Sequence, residues 1–306
     1  MKAVIYTKYG PPNVLKIVAI EKPQPKEDEI LVKIYATTVT SGDVRLRGFD
    51  FPALVWLPVR LMFGLFKPKK EILGHELSGV VEAVGNAVTK FKIGDEVFAT
   101  PTLLDTGAYT EYICIPQERE KGVLGLKPKN LGFKEAAALP VGGMTALFLL
   151  NKAKLGKGQQ VLIYGASGSV GSYAIQIAKA QEATVVAVCS SSNFDMVKSL
   201  GADRVLDYKK EDYTLIDTKF DIVFDAVGKT AKSDARKILK QGGNFVSIAS
   251  LTNLNQEHLN KIKELAETEK IKPYIDKCFP LAEIVAAHEY VGTGRKKGNV
   301  VIEVTK

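Results

Sequence analysis

At 306 residues, with 46% hydrophobic and 25% charged residues, the chain has ordinary globular composition and room for two domains. Its three cysteines, Cys114, Cys189 and Cys278, are widely spaced and form no C-x-x-C, which argues against a disulfide framework or a zinc ribbon and fits a reducing, cytoplasmic setting. The net charge of +8 is spread over scattered lysines and short clusters such as Lys67/Lys69/Lys70 and Arg295-Lys296-Lys297, without an aromatic-interleaved basic stripe. Nucleic acid is therefore not the expected partner; a solvated surface that attracts a polyanionic cofactor is.

The chain opens as a strand, residues 3–6, and not as a basic-then-apolar leader. Apolar alternation recurs at residues 29–35, 79–84, 95–99 and 108–115, with turn signals at Gly85-Asn86 and Ile93-Gly-Asp95. This predicts a small, mostly antiparallel barrel or sandwich over residues 1–128. Residues 51–66 are the most apolar stretch. Sixteen residues interrupted by Pro52, Pro58, Arg60 and Gly64 are too short and too broken for a stable membrane insertion. A buried or cleft-lining loop with one or two helical turns is expected, and Lys67-Pro-Lys-Lys70 directly afterwards leaves surface docking to a membrane or a partner as the alternative. Lys127-Pro-Lys-Asn130 reads as a junction, and residues 133–150 as helical on both sides of Pro140-Val-Gly-Gly143.

Residues 161–164 form a short apolar β run, after which Gly165, Gly168 and Gly171 stand three apart. Val170, Ala174, Ile175, Ile177 and Ala178 then recur with helical spacing. Strand, glycine turn and helix in that order are what a dinucleotide site requires: missing Cβ atoms admit the pyrophosphate, and the helix N-terminus offers free N–H groups and a positive dipole. The motif reads G-x-x-G-x-x-G, because Ala166-Ser167 separates the first two glycines; a tight βα turn that needs glycine only for its shape is the alternative. Strand-like residues 184–188, a helix over 194–200 ended by Gly201, and strands at 204–206, 222–224 and 244–248 spell βαβαβ and a parallel sheet. At the end of the second of these strands stands Cys189-Ser-Ser-Ser-Asn193, with no acid before Asp195. A carboxylate there would hold the ribose 2′-OH of NAD, whereas hydroxyls and an amide can donate to a 2′-phosphate, so the pattern points to NADPH. Residues 281–291 have helical spacing and 298–304 form a closing strand.

Gly74-His-Glu-Leu-Ser-Gly-Val-Val-Glu-Ala-Val-Gly85, Lys92-Ile-Gly-Asp-Glu-Val97, Leu139-Pro-Val-Gly-Gly-Met-Thr-Ala146, the glycine turn, Ser199-Leu-Gly-Ala-Asp-Arg-Val-Leu-Asp-Tyr208 and Gly292-Thr-Gly-Arg-Lys-Lys-Gly-Asn-Val-Val301 together cover nearly the whole chain. In them the sequence resembles the medium-chain dehydrogenase/reductase superfamily, specifically its zinc-independent quinone oxidoreductase and enone reductase branch. The resemblance implies an α/β protein: a Rossmann doubly wound parallel sheet plus a GroES-like, mostly antiparallel β domain. The GroES-like catalytic domain would be residues 1–128 completed by 272–306, and the dinucleotide-binding domain 129–271.

Thr40, His75 and Val141 match the positions at which zinc alcohol dehydrogenases of that superfamily carry catalytic ligands. Thr is a poor zinc ligand and Val is none, while Glu76 could supply one ligand; no metal site is expected. Without a Lewis acid the easier acceptor is an enone or quinone, because hydride addition spreads charge into an enolate or hydroquinone oxyanion that hydrogen-bond donors can hold. Thr40, Asp43 and His75 are the candidate catalytic residues, packed near the apolar 51–66 segment. His75 is either a donor or proton relay to the substrate oxygen, or a satisfied histidine, and Asp43 is expected to fix its loop by local hydrogen bonds.

The resemblance further implies that Thr145 contacts the nicotinamide, that Ser167, Gly168, Ser169 and Val170 cradle the pyrophosphate between Gly165 and Gly171, and that Ser190, Asn193 and Tyr208 surround the 2′-phosphate. Several relatives carry Lys where this chain has Asn193. It also implies a homodimer, although the stretch that often holds the subunit-pairing strand is short here, with Leu251 followed almost at once by Asn255. The rival readings are a zinc-assisted alcohol dehydrogenase and a non-catalytic NADPH-binding or sensing protein.

Overall fold

The computed structural model describes residues 1–305 except 103, 105, 120 and 121, and of Leu54 the backbone alone. In chain order its elements are β1 (Lys2–Ile5), β2 (Lys16–Ala19), β3 (Glu29–Thr38), α1 (Ser41–Gly48), α2 (Ala53–Phe63), β4 (Leu77–Val84), β5 (Glu96–Thr100), β6 (Tyr112–Pro116), β7 (Val123–Leu126) and α3 (Phe133–Ala138). There follow α4 (Pro140–Lys152), β8 (Gln160–Tyr164), α5 (Ser169–Ala180), β9 (Thr184–Cys189), α6 (Phe194–Ser199), β10 (Arg204–Asp207), β11 (Phe220–Asp225), α7 (Lys232–Ile238), β12 (Leu239–Ser247) and α8 (Gln256–Glu267), then β13 (Ile275–Pro280), α9 (Ile284–Gly292) and β14 (Asn299–Glu303). Two compact units result, Met1–Pro140 with Ile275–Lys306, and Val141–Tyr274. Among the described residues no helix is long and apolar enough to cross a membrane.

The first unit is built on a seven-stranded, mostly antiparallel sheet in the order β13-β14-β3-β4-β5-β7, with β6 also on β3. Strand β3 is long enough to share one edge: residues 29–33 pair with β6 and residues 36–38 with β14. Alternation along these strands buries Ile30, Val32, Ile34, Leu77, Val81, Val97, Ile113 and Ile115 in one core. A second core joins Val4, Tyr6, Leu15 and Tyr109 to Leu281, Ile284, Val291 and Val300 from the end of the chain. Each such large side chain contributes about 1.5–3 kcal/mol on burial, enough to fasten the C-terminal segment to the N-terminal one. Residues 108–111, expected as strand, are stitched between two neighbours instead: Val4 N–H donates to the Tyr109 carbonyl, and Tyr109 N–H to that of Leu73. That stitching sets Tyr109 in the floor beside α1.

Residues 51–66 depart from expectation. They hold a three-turn helix, α2, with Pro58 inside it, and its apolar side chains are exposed rather than buried. The side chain of Leu54 lies outside the described residues.

In the second unit five parallel strands run β10-β9-β8-β11-β12. β8 is central because both its faces are apolar, with Val161, Leu162 and Ile163 fully buried. The strand order reverses between β8 and β11, and in open α/β sheets ligands bind outside the carboxyl ends of the strands at such a point. Helix α4 packs close to α5 because Gly142 has no side chain: a Cβ there would run into Ser169 Oγ and lie 2.9 Å from the Tyr173 ring.

Candidate functional site

In the Val141–Tyr274 unit, the turn after β8 is shaped by two glycines for different reasons. Gly165 has φ +76°, a conformation that side chains disfavour, and a Cβ there would press on Val227 at 2.5 Å. Gly171 lies one turn into α5; its Cβ would strike the Gly165 carbonyl and stand 2.7 Å from Ala166 Cα. Gly168, the N-cap of α5, would meet only the Gly165 oxygen, at 3.5 Å, so its side is open. No side chain caps this twelve-residue helix. Its first N–H groups have no intrahelical acceptor by construction, and they carry the positive end of the dipole. A group bearing phosphates fits such a cradle: the donors are main-chain amides and the space is one that a Cβ would fill.

Around the turn the structure brings three of the expected cofactor residues together and leaves one at the rim. Asn193 Nδ2 donates to Ser167 Oγ at 2.9 Å, which ties the loop after β9 to the glycine turn. Ser190, half-buried beside them, accepts from Ser192 Oγ at 3.5 Å. Tyr208 is 48% exposed and tilts against Tyr164, with ring centroids 6.3 Å apart. It lines a cavity of about 330 Å³ with Tyr164, Tyr213, Lys209 and Lys210. Glu211 and Asp212 line it as well, so its two cationic and two anionic side chains balance. Asp207, buried at the end of β10, accepts from Ser191 N–H at 3.3 Å and Lys209 N–H at 2.9 Å, a contact the sequence did not signal. Thr145 is half-buried on α4, one turn beyond Gly142. Asp225, fully buried at the end of β11, accepts from Val227, Gly228 and Thr230 N–H and from Ser247 Oγ, holding the loop that meets Gly165.

In the other unit, Thr40 is the N-cap of α1 and forms a capping box with Asp43. Asp43 N–H donates to Thr40 Oγ1 at 3.0 Å, while Thr40 N–H and Oγ1 donate to Asp43 Oδ2 at 2.9 and 2.6 Å. The second carboxylate oxygen accepts from Gly74 N–H at 2.9 Å and pairs with His75 Nδ1 at 2.7 Å. Asp43 is fully buried. Burial opposes its charge, but the histidine and the Thr40 hydroxyl outweigh that and hold its carboxyl well below the usual range. For His75 burial favours the neutral ring and the Asp43 carboxylate the cation; the cation wins and the imidazole is raised above its ordinary value. With Asp43 ionised, Nδ1 carries the shared proton. The side chain is 36% exposed, and Nε2 makes no hydrogen bond to the described residues.

Behind this pair lie residues that sequence reasoning missed. Tyr109, fully buried, donates to the Thr38 carbonyl at 3.3 Å and stands 3.2 Å from His288 Nε2. Burial first, then the Asp43 charge, push its phenol well above the ordinary value. Burial drives His288 down to about 4, and its Nδ1 is sealed without a partner among the described residues. Neither residue carried a positional signal, since both sit inside apolar runs. Glu76, also buried, accepts from Thr38 Oγ1 at 2.5 Å. Lys296, expected at a solvated surface, is half-buried, and burial, opposed by Glu76 and Asp276, brings its amine down to about 8.

The family model described as alcohol dehydrogenase GroES-like domain matches residues 26–159, and two described as zinc-binding dehydrogenase match residues 169–270 and 249–302. The chain is 37% identical over 322 residues to the 2-methylene-furan-3-one reductase of Solanum lycopersicum, covering 99% of this chain and 79% of that protein. It is 33% identical to the chloroplastic NADPH-dependent alkenal/one oxidoreductase of Arabidopsis thaliana, with the same coverage. Among solved structures, the quinone oxidoreductase from Coxiella burnetii superposes with a TM-score of 0.88 at 32% identity, over 100% of this chain and 99% of that one.

The zinc named in two of those descriptions does not fit the residues present. Among the described residues no three of His, Cys, Asp and Glu are grouped to hold a metal. His75 could offer Nε2 alone, the Thr40 hydroxyl is engaged by Asp43, and the Val141 side chain has no donor atom, which leaves one ligand where a catalytic zinc takes three. The dinucleotide does fit, in the glycine turn at the N-terminus of α5. The chain belongs to the medium-chain dehydrogenase/reductase superfamily, in its quinone oxidoreductase and enone reductase branch.

Proposed function

We propose that this protein is an NADPH-dependent oxidoreductase that transfers hydride to an α,β-unsaturated carbonyl compound or a quinone without a metal. In this reading the Val141–Tyr274 unit is the dinucleotide-binding domain, and Met1–Pro140 with Ile275–Lys306 is the catalytic one. The observation that carries it is His75, clamped through Nδ1 to a buried carboxylate while Nε2 stays open. Similarity to the alkenal/one and furanone reductases and to the quinone oxidoreductase supports the choice of acceptor.

When bound, NADPH supplies the hydride, and the acceptor's electrons move onto its carbonyl or quinone oxygen. His75 is the donor for that oxygen. Asp43 keeps the proton on Nδ1 and favours the cation, so Nε2 presents a second N–H to the developing oxyanion. Thr40 positions Asp43 from the helix cap. Thr145 would contact the nicotinamide, Gly165 to Gly171 would take the pyrophosphate, and Ser190, Asn193 and Tyr208 would take the 2′-phosphate. Holding two reactants in register supplies up to about 7–11 kcal/mol of the barrier reduction, and little else is asked of the protein. Three free cysteines fit a reducing compartment such as the cytoplasm. The homodimer that the resemblance implies is tested by sedimentation.

The deciding measurement is NADPH oxidation against enones, quinones and simple ketones, each with and without a chelator. Enone or quinone turnover indifferent to chelator is expected. Turnover confined to ketones and lost with chelator would return the protein to zinc chemistry, and tight NADPH binding with no turnover would make it a sensor.

A further inference from the structure

Helix α2 and the residues after it take no part in the chemistry above, and they leave much apolar surface uncovered. The side that faces the body of the unit carries Arg60 with the half-buried Val59 and Phe63, and Trp56 stands edge-on to Phe49. The Arg60 guanidinium lies 3.8 Å from the centre of the Tyr9 ring and 4.4 Å from that of Phe49, and Arg60 Nε donates to the Leu65 carbonyl at 2.7 Å. Tyr9 Oη donates to the Phe63 and Gly64 carbonyls at 2.9 and 3.1 Å, pinning the helix end.

The outward side carries Val55, Leu57, Leu61 and Met62, continued by Leu65 and Phe66, and all are exposed, Phe66 at 88%. At 100° per residue, positions 57, 61, 62 and 55 spread over one broad arc that begins about 60° from Arg60 and runs round to the far side of the helix. Elsewhere among the described residues the exposed large apolar side chains are scattered singly. Helix α2 contains no acid, and Lys67, Lys69 and Lys70 follow it. Lys69 Nζ donates to the Leu61 carbonyl at 3.1 Å, which places an ammonium at the rim of the apolar face.

We infer that this face docks on an anionic bilayer surface, with α2 lying in the headgroup plane, Leu57, Leu61, Met62 and Phe66 entering the acyl boundary, and Lys67 and Lys69 meeting anionic headgroups. Apolar side chains rimmed by lysines are the two signals such docking combines. Eleven residues are far too few to span, so the helix lies on the surface. A second copy of the same face would set lysine clusters against each other, which disfavours self-pairing.

Trp56, the only tryptophan of the chain and part of the same helix, stands edge-on to Phe49 at 41% exposure, and its emission reports on the docking of α2 without any label. Intact protein is mixed with phosphatidylcholine vesicles, with or without phosphatidylglycerol. Flotation with the phosphatidylglycerol vesicles and a blue shift of Trp56 emission are expected, with neither on phosphatidylcholine alone. The double variant Lys67→Gln/Lys69→Gln should partition less by about fivefold per lysine, on the order of 25-fold in all. Leu57→Ser/Met62→Ser/Phe66→Ser should abolish flotation while its thermal melting stays that of the wild type. Three results would overturn the inference: unchanged Trp56 emission on phosphatidylglycerol vesicles, self-association that the apolar variant removes, or undiminished vesicle binding by that variant together with a raised KM, which would assign the face to the substrate.

Discussion

In the Val141–Tyr274 unit the groups that would hold charge are main-chain amides, exposed because Gly165, Gly168 and Gly171 lack side chains. In the Met1–Pro140 and Ile275–Lys306 unit they are side chains, Asp43 and His75, held by a helix cap and a backbone amide. The first site works by what is missing and the second by what is present. An amide cradle bears a constant partial charge and does not titrate. The carboxylate–histidine pair has a charge state that changes with pH. A bound polyphosphate needs constancy, whereas a developing oxyanion gains from a proton that can be shared.

That contrast is sharpest where a methyl group is added to the backbone site. Gly171→Ala would drive its Cβ into the Gly165 carbonyl and to 2.7 Å from Ala166 Cα, closing the turn. NADPH affinity should fall by about a hundredfold or more and stability by about 1–3 kcal/mol. Fluorescence titration and thermal melting check both, and wild-type affinity would mean that the cofactor does not use this turn.

In the side-chain site, Asp43→Asn should cost about 2–3 kcal/mol, since it removes the charge that four donors meet. It should also lower the His75 titration midpoint and reduce kcat/KM for an enone at neutral pH. An unmoved His75 proton resonance would break the assigned coupling.

The pH dependence has a definite sign. His75 titrates above its ordinary 6.5, so its stabilisation is complete below that unfolded value and lost as pH rises through the folded one. Asp43 is depressed below its ordinary 3.8, so its contribution is present above that value and lost as pH falls through the folded one. The Tm advantage of wild type over His75→Gln should therefore peak between about pH 4 and 6.5 and shrink on the alkaline side. An advantage that stays constant as pH rises from 6.5 to about 9 would contradict the charged pair.

On the proposed reading, Asn193→Ala should weaken NADPH binding by about tenfold and NADH binding less, because the donor assigned to the 2′-phosphate and the tie to Ser167 are both lost. Equal losses for the two dinucleotides would put Asn193 away from the phosphate. Smallest in effect, Thr40→Val should cost about 1 kcal/mol for the lost cap, with kcat lowered more than KM is raised. An unchanged kcat would reduce Thr40 to a cap and nothing more.

The sequence by itself carried the strand, glycine turn and helix at residues 160–180, the parallel sheet after it, and the antiparallel strands before it, because periodicity and backbone chemistry are local properties. It also named Thr40, Asp43 and His75, through the resemblance of their motifs to the superfamily. It did not show that Asp43 bonds to both Thr40 and His75, since Gly74 and His75 are more than thirty residues away and only the folded loop brings them to one carboxylate. Tyr109 and His288 were hidden for the same reason, 179 positions apart and 3.2 Å from each other in space. Residues 51–66 went the other way. Their apolar character was plain in the sequence and pointed to a buried or cleft-lining loop, but Arg60 packs on Tyr9 and Phe49 on the inner side and Val55, Leu57, Leu61 and Met62 are left exposed. Local pattern sets what a segment can form; which of its faces is covered depends on side chains distant in sequence, and that was decided by the tertiary structure alone.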